Sequence, residues 1–143
     1  DLEYQMTDMI KMIKKLEDEN LDAIFGSRLL TIKNKSRLQL IKERPYWFGS
    51  IISTFMINKF YGRNFTDVLA IAFVKTGIIK TLGCTSNNHS FQFELVSQLC
   101  KKGYKISEVP LYYKSRTVKE GKTIKWWDMI DAIFVMIRVK LFG

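Results

Sequence analysis

Histidine, cysteine and proline are scarce in this chain: one, two and two residues among 143. The single His89 and the widely separated Cys84 and Cys100 give no Cys/His ligand cluster of the zinc kind and no close-spaced disulfide framework, which fits a reducing compartment. No apolar run reaches the ~18 to 20 residues needed to span a bilayer, so any membrane contact is expected along its surface. No signal-peptide pattern, low-complexity tract, repeat or inter-domain linker is visible. Acids are also in deficit, 14 Asp and Glu against 23 Lys and Arg, a net charge of +9. The expected partner is therefore anionic: nucleic acid, a phosphorylated substrate or a bilayer surface.

What the chain does have is apolar and aromatic side chains, 47% and 13% of its residues, far from the composition of disorder. Its length suits one core, so a single globular domain over residues 1–143 is expected. It opens on Asp1 rather than Met and reads as part of a longer chain.

Ile10, Ile13 and Leu16, thickened by Met6, Met9 and Met12, recur at helical spacing and predict an amphipathic helix over residues 7–20 with that stripe as its apolar face. Residues 22–27 (DAIFGS) read as a buried strand, and helix followed by strand suggests an α/β layer architecture. Residues 28–44 carry Arg28, Lys33, Lys35, Arg37, Lys42 and Arg44 against the single acid Glu43, without periodicity, and predict a mobile basic loop closed by Pro45. A largely apolar helix over 46–61 stops at Gly62. Residues 68–74 favour strand, a short helix is expected from Thr76 to near Gly83, and Ser86 and Ser90 can cap a helix over 91–102 that ends at Gly103. Residues 104–113 alternate as a strand whose Pro110 implies an edge or bulge. Residues 126–142 form an apolar helix, with Asp128 and Asp131 early and Arg138 and Lys140 late, as the helix dipole favours.

Chemistry concentrates in residues 116–125 (RTVKEGKTIK). Arg116 can chelate two phosphate oxygens, Gly121 lets backbone approach closely, and Lys122 adds compact charge. Such a loop suits a diphosphate, although a solvated basic loop has the same composition. The order of motifs along the chain decides between them. Asp1-Leu-Glu-Tyr, Gly26-Ser27-Arg28, residues 61–67 (YGRNFTD) with Asn58 ahead of them, Phe91-Gln-Phe-Glu94 with residues 103–110 (GYKISEVP), and Arg116 to Trp126 follow one another. In that order they resemble the later half of family-2 glycosyltransferases of the dolichol-phosphate mannose synthase type. The resemblance covers nearly the whole chain, and the Arg-x-x-x-Glu-Gly-Lys-x-Ile-x-Trp block is its most specific part. Departures are Ser50, where asparagine is usual, Gln5-Met6 after the opening motif, and residues 67–75, where the small residues and lysine of the pattern are lost or displaced.

The resemblance implies a partial GT-A (Rossmann-like nucleotide-diphospho-sugar transferase) fold, its later strands and helices only, with the nucleotide-binding half absent. It also implies inverting transfer of a sugar from a nucleotide-sugar donor to a polyprenyl phosphate acceptor, on the cytoplasmic side at the membrane face. Asp1 is then the metal ligand for Mg²⁺ or Mn²⁺, Arg116 and Lys122 balance the departing diphosphate, and Arg28, joined by Arg44 or Arg37, holds the acceptor phosphate. Asp67 is a candidate sugar contact or base, and Glu94 a second catalytic candidate. A lipid phosphate is already an anion near neutral pH and needs no strong base, which agrees with many cations and one histidine. The final helix suits an interfacial anchor on one face and core packing on the other. The alternatives are a transferase acting on a glycan acceptor in surface polysaccharide synthesis, a fragment inactive by itself, and a basic nucleic-acid-binding module. Against the last, no helix gathers Arg and Lys on one face beside aromatic stacking positions, so no nucleic-acid partner is expected.

Overall fold

The structure, a computed structural model, describes residues 4–32, 36–43, 47–87, 89–113 and 126–143. The elements in order are α1 (Met6–Asp18), β1 (Ala23–Ser27), α2 (Arg37–Glu43), α3 (Phe48–Tyr61), β2 (Ala72–Val74), α4 (Thr76–Thr81), α5 (Ser90–Lys101), β3 (Ile106–Pro110) and α6 (Trp126–Phe142). The strands make one sheet in the order β2-β1-β3, with β1 antiparallel to β2 and parallel to β3. The architecture is mixed α/β with a small mixed sheet.

β1 is buried at all five positions. Successive strand residues point to opposite faces, and both faces are covered. Ala23 and Phe25 join a cluster with Ile57 of α3, Val96 and Leu99 of α5 and Met136 of α6. Ile24 joins Met12, Leu21 and Leu111 on the other side. The apolar run in the sequence is thus a central strand. β3 pairs only with β1 among the described residues, so Pro110, at its last position, stands at the edge the sequence implied.

Four expectations need correction. In α1 the buried line is Asp8 and Met12, while Ile10 and Ile13 are exposed. The Asp8 carboxylate accepts the Tyr112 N–H at 2.9 Å, which turns the helix away from its most apolar stripe. The basic segment over 28–44 is not all loop, because α2 forms within it. Ser36 opens that helix: its hydroxyl accepts the Gln39 N–H at 3.2 Å and its own N–H donates to Gln39 Oε1 at 2.9 Å, a reciprocal cap. The β-favouring stretch 68–74 pairs only from Ala72, because the Val68 N–H goes to Thr54 Oγ1 and the Leu69 N–H to Asp67. In residues 104–113 the ladder is confined to Ile106–Pro110. Asp22 takes the Lys105 N–H at one end, and beyond the other the Leu111 N–H reaches the Ser27 carbonyl, the Tyr112 N–H goes to Asp8 and an isolated bridge joins Tyr113 to Tyr4. The helix over 46–61 starts at Phe48 and ends as expected, with Gly62 left-handed at φ 62°.

Candidate anion-binding site at the end of β1

β1 ends in Gly26-Ser27, and glycine is what leaves room for its neighbour: a Cβ at Gly26 would lie 1.9 Å from Leu111 Cδ1, so any larger residue must displace that buried side chain. This close approach lets the Leu111 N–H reach the Ser27 carbonyl at 2.9 Å. Ser27 is fully buried; its hydroxyl accepts the Leu30 N–H at 3.2 Å and lies 2.6 Å from Thr66 Oγ1. The next residue, Arg28, is delivered at the carboxyl ends of the parallel strands β1 and β3, where open α/β sheets place their ligands.

Arg28 and Asp67 meet there, 39 residues apart in sequence. Arg28 Nε donates to Asp67 Oδ2 at 2.6 Å and Nη2 to Oδ1 at 2.9 Å, a side-on bidentate pair. Ser50 completes a triangle, accepting from Arg28 Nη2 at 3.0 Å and donating to Asp67 Oδ1 at 2.8 Å. The Arg28 N–H also reaches Asp67, at 3.2 Å. The guanidinium carbon lies 5.5 Å from the Trp47 ring centroid and 5.2 Å from that of Tyr113, within cation–π range of both. Burial disfavours charge on both partners, but each outweighs it for the other: Arg28 is held above its usual value and Asp67 below the usual carboxylate range. The pair is ionised throughout the physiological range.

Below the pair, the Asp67 turn is fixed from two sides. Asn58 on α3 brackets Phe65, accepting its N–H and donating to its carbonyl, both at 2.8 Å. Glu108 on β3 accepts the Thr66 N–H at 2.8 Å and the Asp67 N–H at 3.0 Å, with Thr66 Oγ1 3.2 Å away. Burial, and secondarily the Asp67 charge, outweigh these bonds and push the Glu108 carboxyl above its usual value.

Of the residues singled out in the sequence, Arg28 and Asp67 are brought together. Glu94 is engaged elsewhere: buried on α5, it accepts the Thr85 N–H at 3.0 Å, the Ser86 N–H at 2.6 Å and Arg138 Nη2 of α6 at 2.9 Å. Burial raises the Glu94 carboxyl and these donors lower it, leaving it below its usual value. Asp1, Arg44, Arg116 and Lys122 lie outside the described residues, as does the side chain of Arg37. Sequence reasoning assigned no part to Ser27, Trp47, Thr66, Glu108 or Tyr113. Glu108 was legible as a member of the 103–110 motif and as a carboxylate within a β-favouring run, but its partners were not. Ser50, the departure from the resembled pattern, bonds both members of the ion pair.

The chain is 29% identical over 144 aligned positions to "Uncharacterized protein MJ0544" of Methanocaldococcus jannaschii, an alignment covering 96% of this chain and 59% of that relative. It thus spans well under two thirds of the relative's length. No family model matches the chain, and no solved structure matches it.

Proposed function

We propose that this chain is the acceptor-side part of a GT-A-type glycosyltransferase domain that transfers a sugar, with inversion, from a nucleotide-sugar to a polyprenyl phosphate at the membrane surface. The observation that carries the reading is the state of Arg28. It is fixed at the ligand-binding end of the sheet by Asp67, Ser50 and two aromatic rings, and its side chain is 13% exposed. A guanidinium has five N–H groups. Among the described residues, Asp67 and Ser50 engage Nε and Nη2 and no hydrogen bond engages Nη1, the group this reading assigns to an outside anion. By the ordered motif resemblance that anion is the acceptor phosphate, and the same resemblance assigns Arg44 to it and Arg116 and Lys122 to the donor diphosphate.

In this proposal Asp67 orients Arg28 rather than serving as a base, since its oxygens already take donors from Arg28, Ser50 and the Leu69 N–H. The acceptor phosphate is ionised near neutral pH and attacks the anomeric carbon without losing a proton, while the bond from that carbon to the donor's diphosphate oxygen breaks and the nucleoside diphosphate leaves with the electron pair. Glu94 ties α5 to α6 and the 85–86 backbone. Mg²⁺ or Mn²⁺ belongs to the proposal through the resemblance at Asp1, and would neutralise charge on the donor diphosphate. Among the described residues no group of three His, Cys, Asp or Glu side chains gathers to hold an ion.

Contact with a membrane surface is supported by α6. No helix among the described residues is long and apolar enough to cross a membrane. α6 nevertheless has two apolar faces: Ala132, Val135, Met136 and Val139 are buried, while Ile130, Phe134, Ile137 and Leu141 form an exposed stripe at spacings of four, three and four. A basic protein with such a stripe suits an anionic bilayer interface.

The test is transfer of label from a nucleotide-sugar by the native protein that contains this chain, offered polyprenyl phosphate, the corresponding polyprenol and a soluble glycan in parallel. Label entering the organic phase only with the phosphate supports the reading. Label entering the glycan instead contradicts it.

A further inference from the structure

Glu108 does not touch Arg28, yet every side chain that fixes the Asp67 turn from the sheet side leads to it. Its carboxylate accepts the N–H groups of Thr66 and Asp67, two consecutive donors from one turn. Its oxygens also lie 3.2 and 3.3 Å from the Thr66 hydroxyl, which is itself 2.6 Å from Ser27 Oγ. One hydrogen-bond direction satisfies the series: Ser27 donates to Thr66, Thr66 donates to Glu108, and Ser27 keeps a lone pair for the Leu30 N–H. That chain spans both sides of Arg28, from Ser27 just before it to Leu30 just after it. Only an acceptor-only group at position 108 can end it while also taking two backbone donors.

We propose that Glu108 is the positioning residue of the anion site: it clamps the Thr66-Asp67 backbone to β3 and so sets the angle at which Asp67 presents Arg28. This rests on the reading of Arg28 as a phosphate ligand only for its functional consequence, not for the clamp. β3 leads directly into the segment that carries Arg116 and Lys122, so one carboxylate joins the strand before that segment to the turn that holds Arg28. Burial already pushes the Glu108 carboxyl upward. What the carboxylate adds is two oxygens that accept from three donors at once.

The experiment reads Arg28 itself. In the full chain, hydrogen exchange of the Arg28 Nε–H, followed by ¹⁵N NMR, is compared between the unaltered protein, Glu108→Gln and Thr66→Val. In Glu108→Gln, where an amide NH₂ replaces one accepting oxygen, exchange should quicken about tenfold, the consequence of weakening one charge-assisted hydrogen bond. Thr66→Val removes only the hydroxyl link and should quicken it by a smaller factor; it also serves if Glu108→Gln fails to fold. Unchanged exchange in a folded variant overturns the proposal. A second arm titrates farnesyl phosphate and inorganic phosphate. Weaker binding of both by Glu108→Gln, with no further effect of that change in an Arg28→Ala background, shows that Glu108 acts through Arg28. Equal losses in both backgrounds contradict it. If the unaltered chain binds neither probe while Arg28 exchange still responds to Glu108→Gln, the phosphate reading fails and the positioning role stands.

Discussion

At the scale of single residues, the arrangement turns on a buried ion pair whose two members are costly apart. Asp67 is 1% exposed and Arg28 lies against the Trp47 and Tyr113 rings, so removing the carboxylate charge leaves a guanidinium with little water to compensate it. Asp67→Asn should cost about 3–5 kcal/mol, the range for breaking one side of a buried pair, read from the shift in urea midpoint. A loss below about 1 kcal/mol, the range of exposed pairs, would place Arg28 in solvent. Gly26 supplies a second test at this scale. Its missing Cβ is the space occupied by Leu111, so Gly26→Ala should destabilise by about 1–3 kcal/mol through overpacking. Combining it with Leu111→Val should recover part of that loss in the same denaturation measurement. No recovery would locate the strain elsewhere.

At the scale of elements, α6 shows how far one helix can serve two environments. Phe134 is 70% exposed, so Phe134→Ser should leave the thermal midpoint almost unchanged while weakening binding to vesicles of anionic phospholipid several-fold. An equal effect on both, or on stability alone, would make the stripe a packing face. Composition made this helix legible with its bounds, because a long apolar run with charges placed by the dipole has few alternatives. β1 was legible for the same reason, as an apolar run bounded by an acidic turn and a glycine. α1 was legible as a helix but not in its rotation, since Asp8 gives up solvent to bond the Tyr112 N–H, a contact 104 residues away that local periodicity does not contain. α2 was hidden by its charge, although Ser36 and Gln39 spell a capping box that reading for apolar period passes over. The site divides in the same way. Arg28, Asp67 and Glu108 all stand in recognisable short motifs, but Glu108 meets its partners only when β3 lies beside β1, which no local pattern encodes.

At the scale of the whole molecule, the carboxylates set the response to acid. Asp67 and Glu94 have folded values below the ordinary range, so the stability they contribute is present above that range and is lost as the pH falls through their folded values. Glu108 acts in the opposite sense: its folded value is raised, so it favours the folded state when protonated and that contribution is lost as the pH rises through its folded value. With two groups against one, the urea midpoint should decline as the pH drops below about 4, the ordinary carboxylate value. A midpoint that is flat or rising there would mean the Arg28–Asp67 and Arg138–Glu94 pairs are not formed in solution. The central claim is narrower, that Arg28 is the cation for a lipid-linked phosphate. It is tested most directly by calorimetric titration of farnesyl phosphate and farnesol into the full chain and into Arg28→Ala, with folding of the variant verified by circular dichroism. The account predicts that the phosphate binds, that the alcohol does not, and that Arg28→Ala weakens phosphate binding by about tenfold or more, the worth of one charge-assisted contact. Equal binding of the phosphate by the unaltered chain and the variant would contradict it.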